Sequence, residues 1–330
     1  MEKFKAFRIH EIEKKTVARF ESLALEELDP GEVVIRVAYS SVNYKDALAA
    51  TGAGRIIRRF PCIGGIDLAG TVVESGDARF AKGDAVIATS YDLGVAHDGG
   101  YAEYARVPGD WVVAMPRGMT LFEAMALGTA GYTAALGVAR MESNGLAPGN
   151  GPVVVSGATG GVGSLAIDML SGLGYAVTAL TGKESEAGYL RGLGAKEVLL
   201  RSSLDLTKIR PMDKELWAGA VDNLGGEVLA WMASTMRRGG TIASIGLAAS
   251  MSLNTTVAPF ILRGVSLLGI DSGYTPMPHR QQIWNRLAGD LRPRHLKELT
   301  QTVAFDDLPG VFEKFMKSQV KGRIVVDMAA

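Results

Sequence analysis

Residues 153–163 have the sequence VVVSGATGGVG, in which a short apolar run passes directly into a glycine-rich turn. The residues that follow have the apolar spacing of one helix face, up to Gly174: Val162, Leu165, Ala166, Met169, Leu170 and Leu173. A strand, a glycine turn and a helix in direct succession are typical of the site where a parallel sheet binds a pyrophosphate through backbone amides. The spacing is GxxGxxG with an additional Gly161, so the alternative interpretation is a turn that only packs a helix against a sheet.

The region around this turn contains six apolar runs separated by helix-length segments: VVVS, AVTAL, EVLL, GAVD, TIASIG and VSLLGI. Parallel strands need a crossover of this length to return to the same edge of a sheet. Residues 123–272 are therefore predicted to form an α/β domain with a doubly wound parallel sheet of the Rossmann type.

The flanking segments show a different periodicity. Val33, Ile35, Val37 and Tyr39 alternate as in a half-buried strand, and similar short runs continue to about residue 120, which predicts a β-rich barrel over residues 1–122. Residues 273–330 contain a capped helix and the strand-like run GRIVVDM, and we expect this tail to return to the first domain.

Composition limits the possible functions of the chain. Its 330 residues contain 35 basic and 35 acidic side chains, a balance that provides no field for nucleic acid or anionic lipid. The single cysteine, Cys62, is typical of a reducing compartment, and no apolar run approaches the roughly 20 residues that span a bilayer. The charged first residues also lack the apolar core of a signal peptide, so we expect a cytoplasmic protein without membrane or nucleic-acid partners.

The end of the second predicted strand indicates which dinucleotide is bound. An NAD site usually has an acidic residue there, about 20 residues beyond the turn, whereas this chain has Thr181, Gly182 and Lys183. A lysine without a competing carboxylate favours the 2′-phosphate of NADPH, and Arg201 is a candidate second cation. The alternative for both side chains is ordinary solvated surface.

Several long motifs resemble the medium-chain dehydrogenase/reductase superfamily: SSVNYKDALAATG from Ser40, IIRRFPCIGGIDLAGTV from Ile56, GDWVVAMP from Gly109, GTAGYTA from Gly128, SGATGGVG from Ser156 and TTVAPFILRGVSLLGIDS from Thr255. More narrowly, the chain resembles the zinc-free, quinone-oxidoreductase-like enzymes and, among them, the NADPH-dependent acryloyl-CoA reductases. The resemblance implies a GroES-like β-barrel substrate domain, a Rossmann nucleotide domain and a homodimer joined through the last strand of each parallel sheet.

Zinc-dependent relatives have a cysteine near the position of Asn43 and Gly-His-Glu where this chain has Gly65, Ile66 and Asp67. The four histidines of the chain, His10, His97, His279 and His295, form no spaced cluster. We therefore expect no metal.

Hydride reduction without a metal favours an alkene conjugated to a carbonyl, or a quinone. Hydride addition to the β carbon leaves an enolate that needs a hydrogen-bond donor and then a proton. The resemblance places Tyr44 beside the nicotinamide, as a donor or proton source or as a residue that only positions the cofactor. Asn43 is a second candidate donor or only holds the loop, and we expect Asp46 to be structural, by pairing with Lys45 or capping a helix.

The remaining site residues are implied mainly by the resemblance. Those expected to bind the cofactor are Tyr44, Thr129, Thr159, Gly160, Gly161, Val162, Thr181, Gly182, Lys183, Arg201, Gly246, Leu247, Ile261, Ser272 and Ser318. Arg55, Arg58 and Arg59 are candidates for binding the phosphates of an acyl-CoA, and Arg323 is a candidate for binding either the cofactor or an acyl-CoA phosphate. The alternative for the three neighbouring arginines is a solvated surface.

The leading functional hypothesis is reduction of the 2,3 double bond of a short enoyl-CoA, from acryloyl-CoA to propanoyl-CoA. The second is an NADPH-dependent quinone or enone oxidoreductase. The third, from a different class, is an NADPH-binding sensor without turnover. The run VSLLGI is the expected dimer edge, because an unprotected edge strand is otherwise prone to aggregation.

Overall fold

A computed structural model describes residues 3–330 as two structural units. The first unit comprises the described residues up to Thr129 together with Gly273–Ala288 and Leu296–Ala330, and the second comprises Ala130–Ser272 and Gly289–His295. The boundary predicted at 272/273 coincides with one of these divisions, but Gly289–His295 lies in the second unit, whereas all of residues 273–330 are predicted to belong to the first. The boundary predicted at 122/123 lies earlier than in the structure, because the change to helical periodicity marks the start of a helix that continues into the second unit.

The elements are numbered in chain order. The strands are β1 (Phe4–Ile12), β2 (Lys15–Leu23), β3 (Val33–Val42), β4 (Cys62–Ile63), β5 (Asp67–Ser75), β6 (Ala85–Thr89), β7 (Tyr104–Val107), β8 (Val112–Ala114), β9 (Val153–Val155), β10 (Val177–Thr181), β11 (Glu197–Leu200), β12 (Trp217–Asp222), β13 (Met236–Ser244), β14 (Ser266–Gly269), β15 (Thr300–Ala304) and β16 (Arg323–Asp327). The helices are α1 (Tyr44–Thr51), α2 (Leu121–Ser143), α3 (Gly161–Gly172), α4 (Ala187–Gly192), α5 (Gly226–Thr235), α6 (Ala258–Arg263), α7 (Met277–Ala288) and α8 (Leu308–Met316).

The first unit contains two β-sheets around one apolar core. A three-stranded sheet has the order β2-β1-β4, and a seven-stranded sheet has the order β15-β16-β3-β5-β6-β8, with β7 also paired to β3. Strands β1 and β3 both contribute to this core, which includes Phe4, Phe7, Val33 and Ile35. The prediction of a β-rich first domain is confirmed.

The tail of the chain completes this first unit. Strand β16 pairs antiparallel with β3, with Ile324 opposite Val42, which confirms that the run GRIVVDM returns to the first domain. The register places Arg323 next to the end of β3, where the chain enters α1.

The second unit has the predicted doubly wound topology. All six predicted apolar runs form strands, and every pairing in the sheet is parallel in the order β11-β10-β9-β12-β13-β14. Because all strands of such a sheet run in the same direction, the loops that follow them lie at one edge, and ligands bind there, outside the carboxyl ends of the strands.

Helix α2 is interrupted at Gly128, whose φ of 51° and ψ of −156° are not helical. Among residues 3–330 it is the single helix long and apolar enough to cross a membrane, but 78% of its apolar window is buried within the protein. Such burial is typical of a core helix in a globular protein.

Candidate active site

The glycine-rich turn joins β9 to α3 as the sequence predicts. Gly160 precedes the first residue of α3, and a Cβ atom on Gly163 would collide with the carbonyl oxygen of Gly157. The helix can therefore approach the turn closely only with glycine at this position. The backbone amide of Ser164 donates the first hydrogen bond of the helix, to the Gly160 carbonyl oxygen at 2.9 Å. The amides of Gly161, Val162 and Gly163 therefore have no acceptor within the helix. This arrangement suits a diphosphate.

The end of β10 brings two of the predicted nucleotide residues together. Thr181 is buried, and its hydroxyl accepts a hydrogen bond from the Lys183 amide at 3.0 Å. A Cβ atom on Gly182 would lie 3.6 Å from Nη2 of Arg201, so the guanidinium lies beside the end of the strand. A cation at this position favours a phosphorylated ribose.

The other predicted cofactor residues of the second unit all lie beyond β13 in the chain: Gly246, Leu247, Ile261 and Ser272. Gly246 lies two residues beyond β13, the next residue Leu247 is 60% exposed, and Ile261 on α6 is 73% exposed. The hydroxyl of Thr133 donates a 2.8 Å hydrogen bond to Ser272 Oγ, so Thr133 orients the side chain of a predicted cofactor residue.

In the first unit, Tyr44 is the first residue of α1. Its side chain is 52% exposed, and its hydroxyl makes no hydrogen bond within residues 3–330. The backbone amide of Asn43 donates a hydrogen bond to Oδ2 of Asp46 at 2.8 Å, which fixes the backbone where the helix begins. The capping role expected for Asp46 is confirmed. Its expected alternative, a pair with Lys45, is not formed, because Asp46 is buried while Lys45 is exposed.

Asp67 is the hub of a buried polar network beneath this loop. Its Oδ2 accepts hydrogen bonds from Ser41 Oγ at 2.6 Å, from Asn43 Nδ2 at 2.8 Å and from the Thr129 amide at 2.9 Å. Its Oδ1 accepts from the Thr129 hydroxyl at 2.5 Å. Four donors on one fully buried carboxylate satisfy the charged form and fix the position of Asn43.

Asp46 is the second buried carboxylate of the network. The Ile66 amide donates to its Oδ1 at 3.0 Å, and Asn43 Nδ2 donates to its Oδ2 at 3.2 Å. Burial, together with the nearby negative charge of Asp67, raises the pKa of Asp46 to about 7. The charge of the network therefore changes near neutral pH.

Arg323 supplies the positive charge of the network and is 3% exposed. Its guanidinium donates to Ser41 Oγ at 2.8 Å, to Asn43 Oδ1 at 3.2 Å and to the Ala126 carbonyl at 3.0 Å, and Nη2 lies 4.0 Å from Asp67. Burial lowers the pKa of the guanidinium. The expectation that Arg323 binds a cofactor or acyl-CoA phosphate is corrected, because its donors serve the network.

The three neighbouring arginines do not form one anion site. Arg58 is paired with Asp92 and also donates to the Tyr274 hydroxyl, and Arg59 is paired with Asp29. Carboxylates thus already neutralise these two guanidinium groups, which argues against their predicted role. The Arg55 side chain is exposed and forms no ion pair or hydrogen bond within residues 3–330.

Thr129 and Ser318, two other predicted cofactor residues, belong to the first unit. The Thr129 hydroxyl lies 3.1 Å from Ser90 Oγ in addition to its bond to Asp67. Ser318 lies two residues beyond α8 with a φ of 55°, a left-handed conformation that is uncommon for residues other than glycine.

Sequence reasoning missed Asp67 and Ser41 as members of the site. Asp67 begins the buried run DLAGTV, and a carboxylate within an otherwise apolar strand is a signal that a buried partner exists. The sequence does not show which partner, because the donors come from β3, α2 and β16 as well as from the α1 loop.

Comparison with known proteins supports this two-part architecture. The family model for the alcohol dehydrogenase GroES-like domain matches residues 29–117, and the model for zinc-binding dehydrogenase matches residues 161–288.

Two curated proteins resemble this chain over nearly its whole length. The putative quinone oxidoreductase YhfP of Bacillus subtilis is 49% identical, with 93% of each chain covered. The acrylyl-CoA reductase AcuI of Ruegeria pomeroyi is 46% identical, with 96% of each chain covered.

Two solved structures have nearly the same fold. The yhdH oxidoreductase from Salmonella enterica in complex with NADP has a TM-score of 0.96 and 46% identity, covering 98% of this chain and 99% of the other. B. subtilis yhfP with NAD bound has a TM-score of 0.97 and 46% identity, covering 99% of this chain and 100% of the other.

The second family model implies zinc, but the donors in this chain do not fit that metal. Within residues 3–330 no group of three or more His, Cys, Asp or Glu side chains is arranged to hold a metal ion. Cys62 is buried with its thiol 3.3 Å from the His97 carbonyl, and burial raises its pKa to about 12, so the thiolate needed for zinc is disfavoured.

The fold, the glycine turn and the Asn43–Tyr44 loop thus occur together in a chain that aligns with these oxidoreductases over nearly its whole length. The chain belongs to the medium-chain dehydrogenase/reductase family, in the quinone-oxidoreductase-like group that includes the acrylyl-CoA reductases.

Proposed function

We propose that this protein reduces acryloyl-CoA to propanoyl-CoA with NADPH. The observation that carries the proposal is the exposed Tyr44 hydroxyl, free of other hydrogen bonds within residues 3–330, on a backbone fixed by the buried Asp67 network. The name and 46% identity of the R. pomeroyi reductase support the same substrate.

The nucleotide residues of the second unit fit NADPH. The turn before α3 leaves amides for the diphosphate, and Arg201 and Lys183 at the end of β10 hold the 2′-phosphate. The NADP in the yhdH complex supports this choice, whereas the NAD in the yhfP complex makes cofactor preference a necessary measurement.

The residues of the first unit serve the enolate that reduction creates. When bound, NADPH supplies the hydride that adds to the β carbon of the conjugated alkene. Tyr44 donates a hydrogen bond to the enolate oxygen, and the α carbon then takes a proton from this hydroxyl or from water. Asn43 keeps the loop in place, because both of its amide atoms are held by the network.

The phosphates of an acyl-CoA need cations outside the buried network. Arg55 is the remaining candidate of the predicted set, because its guanidinium is exposed and without an acidic partner in the described chain. A bidentate contact between arginine and phosphate would increase affinity for the thioester over the free acid.

The second candidate function is reduction of quinones or reactive enones. The 49% identity to the protein named putative quinone oxidoreductase YhfP favours it. The third hypothesis, a sensor without turnover, has no comparable support, because the relatives are named as reductases or oxidoreductases.

Initial rates of NADPH oxidation with acryloyl-CoA, free acrylate and a simple quinone distinguish these functions. The proposal expects a kcat/KM for acryloyl-CoA at least about 100-fold above the other two. Equal values for the quinone and the thioester would contradict it.

A homodimer in the cytoplasm completes the proposal. Strand β14 pairs with β13 alone within residues 3–330, and the segment leading to it exposes Met251 at 84% and Val257 at 67%. A second copy covering this edge would protect it. Sedimentation should give twice the chain mass of 34.9 kDa, and a stable monomer at micromolar concentration would contradict the dimer.

A further inference from the structure

Asp222, at the end of β12, is a buried carboxylate outside the residues discussed so far. It is fully buried, and its Oδ1 accepts hydrogen bonds from Ser156 Oγ at 2.8 Å and from the Leu224 amide at 3.1 Å. Its Oδ2 accepts from the Gly225 amide at 2.8 Å. Burial raises the pKa of Asp222, and these donors oppose that effect.

Ser156 connects Asp222 to the glycine turn. This residue follows β9 and immediately precedes Gly157, and it is fully buried. Its hydroxyl donates to Asp222 and accepts from the Asn223 amide at 2.9 Å, while its carbonyl accepts from Asn223 Nδ2 at 2.7 Å. Three hydrogen bonds thus connect Ser156 to Asp222, the last residue of β12, and to Asn223, the residue that follows it.

The same loop also holds the segment after β13. The Gly246 amide donates to the Asp222 carbonyl at 3.1 Å, and the Ala249 amide donates to the Leu224 carbonyl at 2.9 Å. A Cβ atom on Gly246 would collide with the backbone of Asn223, so the two segments are in direct contact. The loop at 222–225 therefore lies between the two segments that the proposed function assigns to the cofactor.

We propose that Asp222 is a positioning residue for the dinucleotide, which acts through Ser156 to set the backbone of the glycine turn. The proposal rests on the proposed NADPH function. Backbone amides recognise a diphosphate only when their directions are fixed before binding, and the Asp222–Ser156 pair supplies that constraint from inside the sheet. A charge-assisted hydrogen bond in a buried site is strong enough to hold the turn in one conformation.

The contrasting explanation is that Asp222 only stabilises the fold. A purely structural carboxylate would lower stability when replaced but would leave the affinity of the folded protein for nucleotide unchanged. The variant Ser156→Ala separates the two explanations, because it keeps the hydrogen bonds that the Leu224 and Gly225 amides donate to Asp222 and removes the hydroxyl that links the turn to Asp222 and to the Asn223 amide.

The test measures the Kd of NADPH by fluorescence titration and the thermal unfolding midpoint for Ser156→Ala and Asp222→Asn. Two variants of equally buried residues in the same unit serve as controls. Ser234→Ala removes a hydroxyl bonded to the Trp231 carbonyl, and Asp168→Asn changes a carboxylate bonded to His295.

We expect Ser156→Ala to raise the Kd of NADPH about tenfold and Asp222→Asn to raise it by about 10- to 100-fold. Ser234→Ala and Asp168→Asn should lower the unfolding midpoint without changing the Kd. If Asp222→Asn does not fold, Ser156→Ala decides alone.

A wild-type Kd in Ser156→Ala, or an equal increase in the control variants, would overturn the inference while leaving the proposed function intact. Failure of the wild-type protein to bind NADPH would overturn both.

Discussion

The side-chain amide of Asn43 lies 2.8 Å from the carboxylate of Asp67, a residue 24 positions further along the chain. This contact joins the loop before α1 to the first residue of β5. The residue after Asn43 is Tyr44, so the buried carboxylate determines where an exposed phenol is presented.

Replacing Tyr44 with Phe removes the hydroxyl proposed to stabilise the enolate. We expect kcat with acryloyl-CoA to fall about 100-fold, while the Kd of NADPH changes less than about threefold. Steady-state kinetics and nucleotide titration measure the two effects. Tyr104→Phe, in the same unit, is the control and should retain wild-type kcat. An unchanged kcat in Tyr44→Phe would remove this role from Tyr44.

Asp46 makes stability depend on pH. Its pKa is raised from 3.8 to about 7, first by burial and then by the charge of Asp67. The folded protein therefore holds this proton over a range in which the unfolded chain has released it. The resulting stability is fully present below about pH 4 and is lost as pH rises through about 7.

Urea unfolding of the wild type and of Asp46→Asn at several pH values measures this effect. Relative to the variant, the wild type should lose a few kcal/mol of unfolding free energy between about pH 4 and pH 8, since each pKa unit corresponds to about 1.4 kcal/mol. A difference between the two proteins that is constant over this range would show that Asp46 does not titrate there.

Arg201 is expected to set the preference for NADPH over NADH. Removing one cation from a phosphate site costs about tenfold in affinity, so Arg201→Gln should lower the ratio of kcat/KM for NADPH to that for NADH by about that factor. Arg210→Gln, which changes another exposed arginine of the same unit, should leave the ratio unchanged. Equal use of both cofactors by the wild type would contradict the assignment of Lys183 and Arg201.

Arg55 is expected to recognise the CoA portion of the substrate. Arg55→Gln should raise KM for acryloyl-CoA about tenfold and leave KM for a small enone unchanged, because the enone carries no phosphate. Arg58→Gln is the informative contrast, since its guanidinium is already paired with Asp92. A larger increase in KM for Arg58→Gln than for Arg55→Gln would restore the role that the structure argues against.

The parallel sheet and its glycine turn were predictable because their signals are local. VVVSGATGGVG contains the strand, the turn and the start of the helix within 11 consecutive residues, and each later apolar run repeats the same alternation. The residue types alone also indicated the dinucleotide edge, since Thr181, Gly182 and Lys183 include no carboxylate.

The buried network was not predictable in the same way, because its members meet only after the sheet of the first unit has formed. The pairing of Val42 with Ile324 brings Arg323 to the end of β3, and the pairing of Ser40 with Leu68 brings Asp67 there from β5. Burial then changes the role of Arg323 from an expected phosphate ligand to the internal partner of Asp67, Ser41 and Asn43. A sequence pattern contains neither the register nor the burial.

The most direct test of the proposed activity follows the hydride itself. The protein is incubated with acryloyl-CoA and NADPH that carries deuterium at both C4 positions of the nicotinamide, and the product is analysed by mass spectrometry and NMR. The proposal predicts propanoyl-CoA with one deuterium on C3, the former β carbon. Propanoyl-CoA without deuterium on C3, or no propanoyl-CoA while a quinone is reduced rapidly, would contradict it.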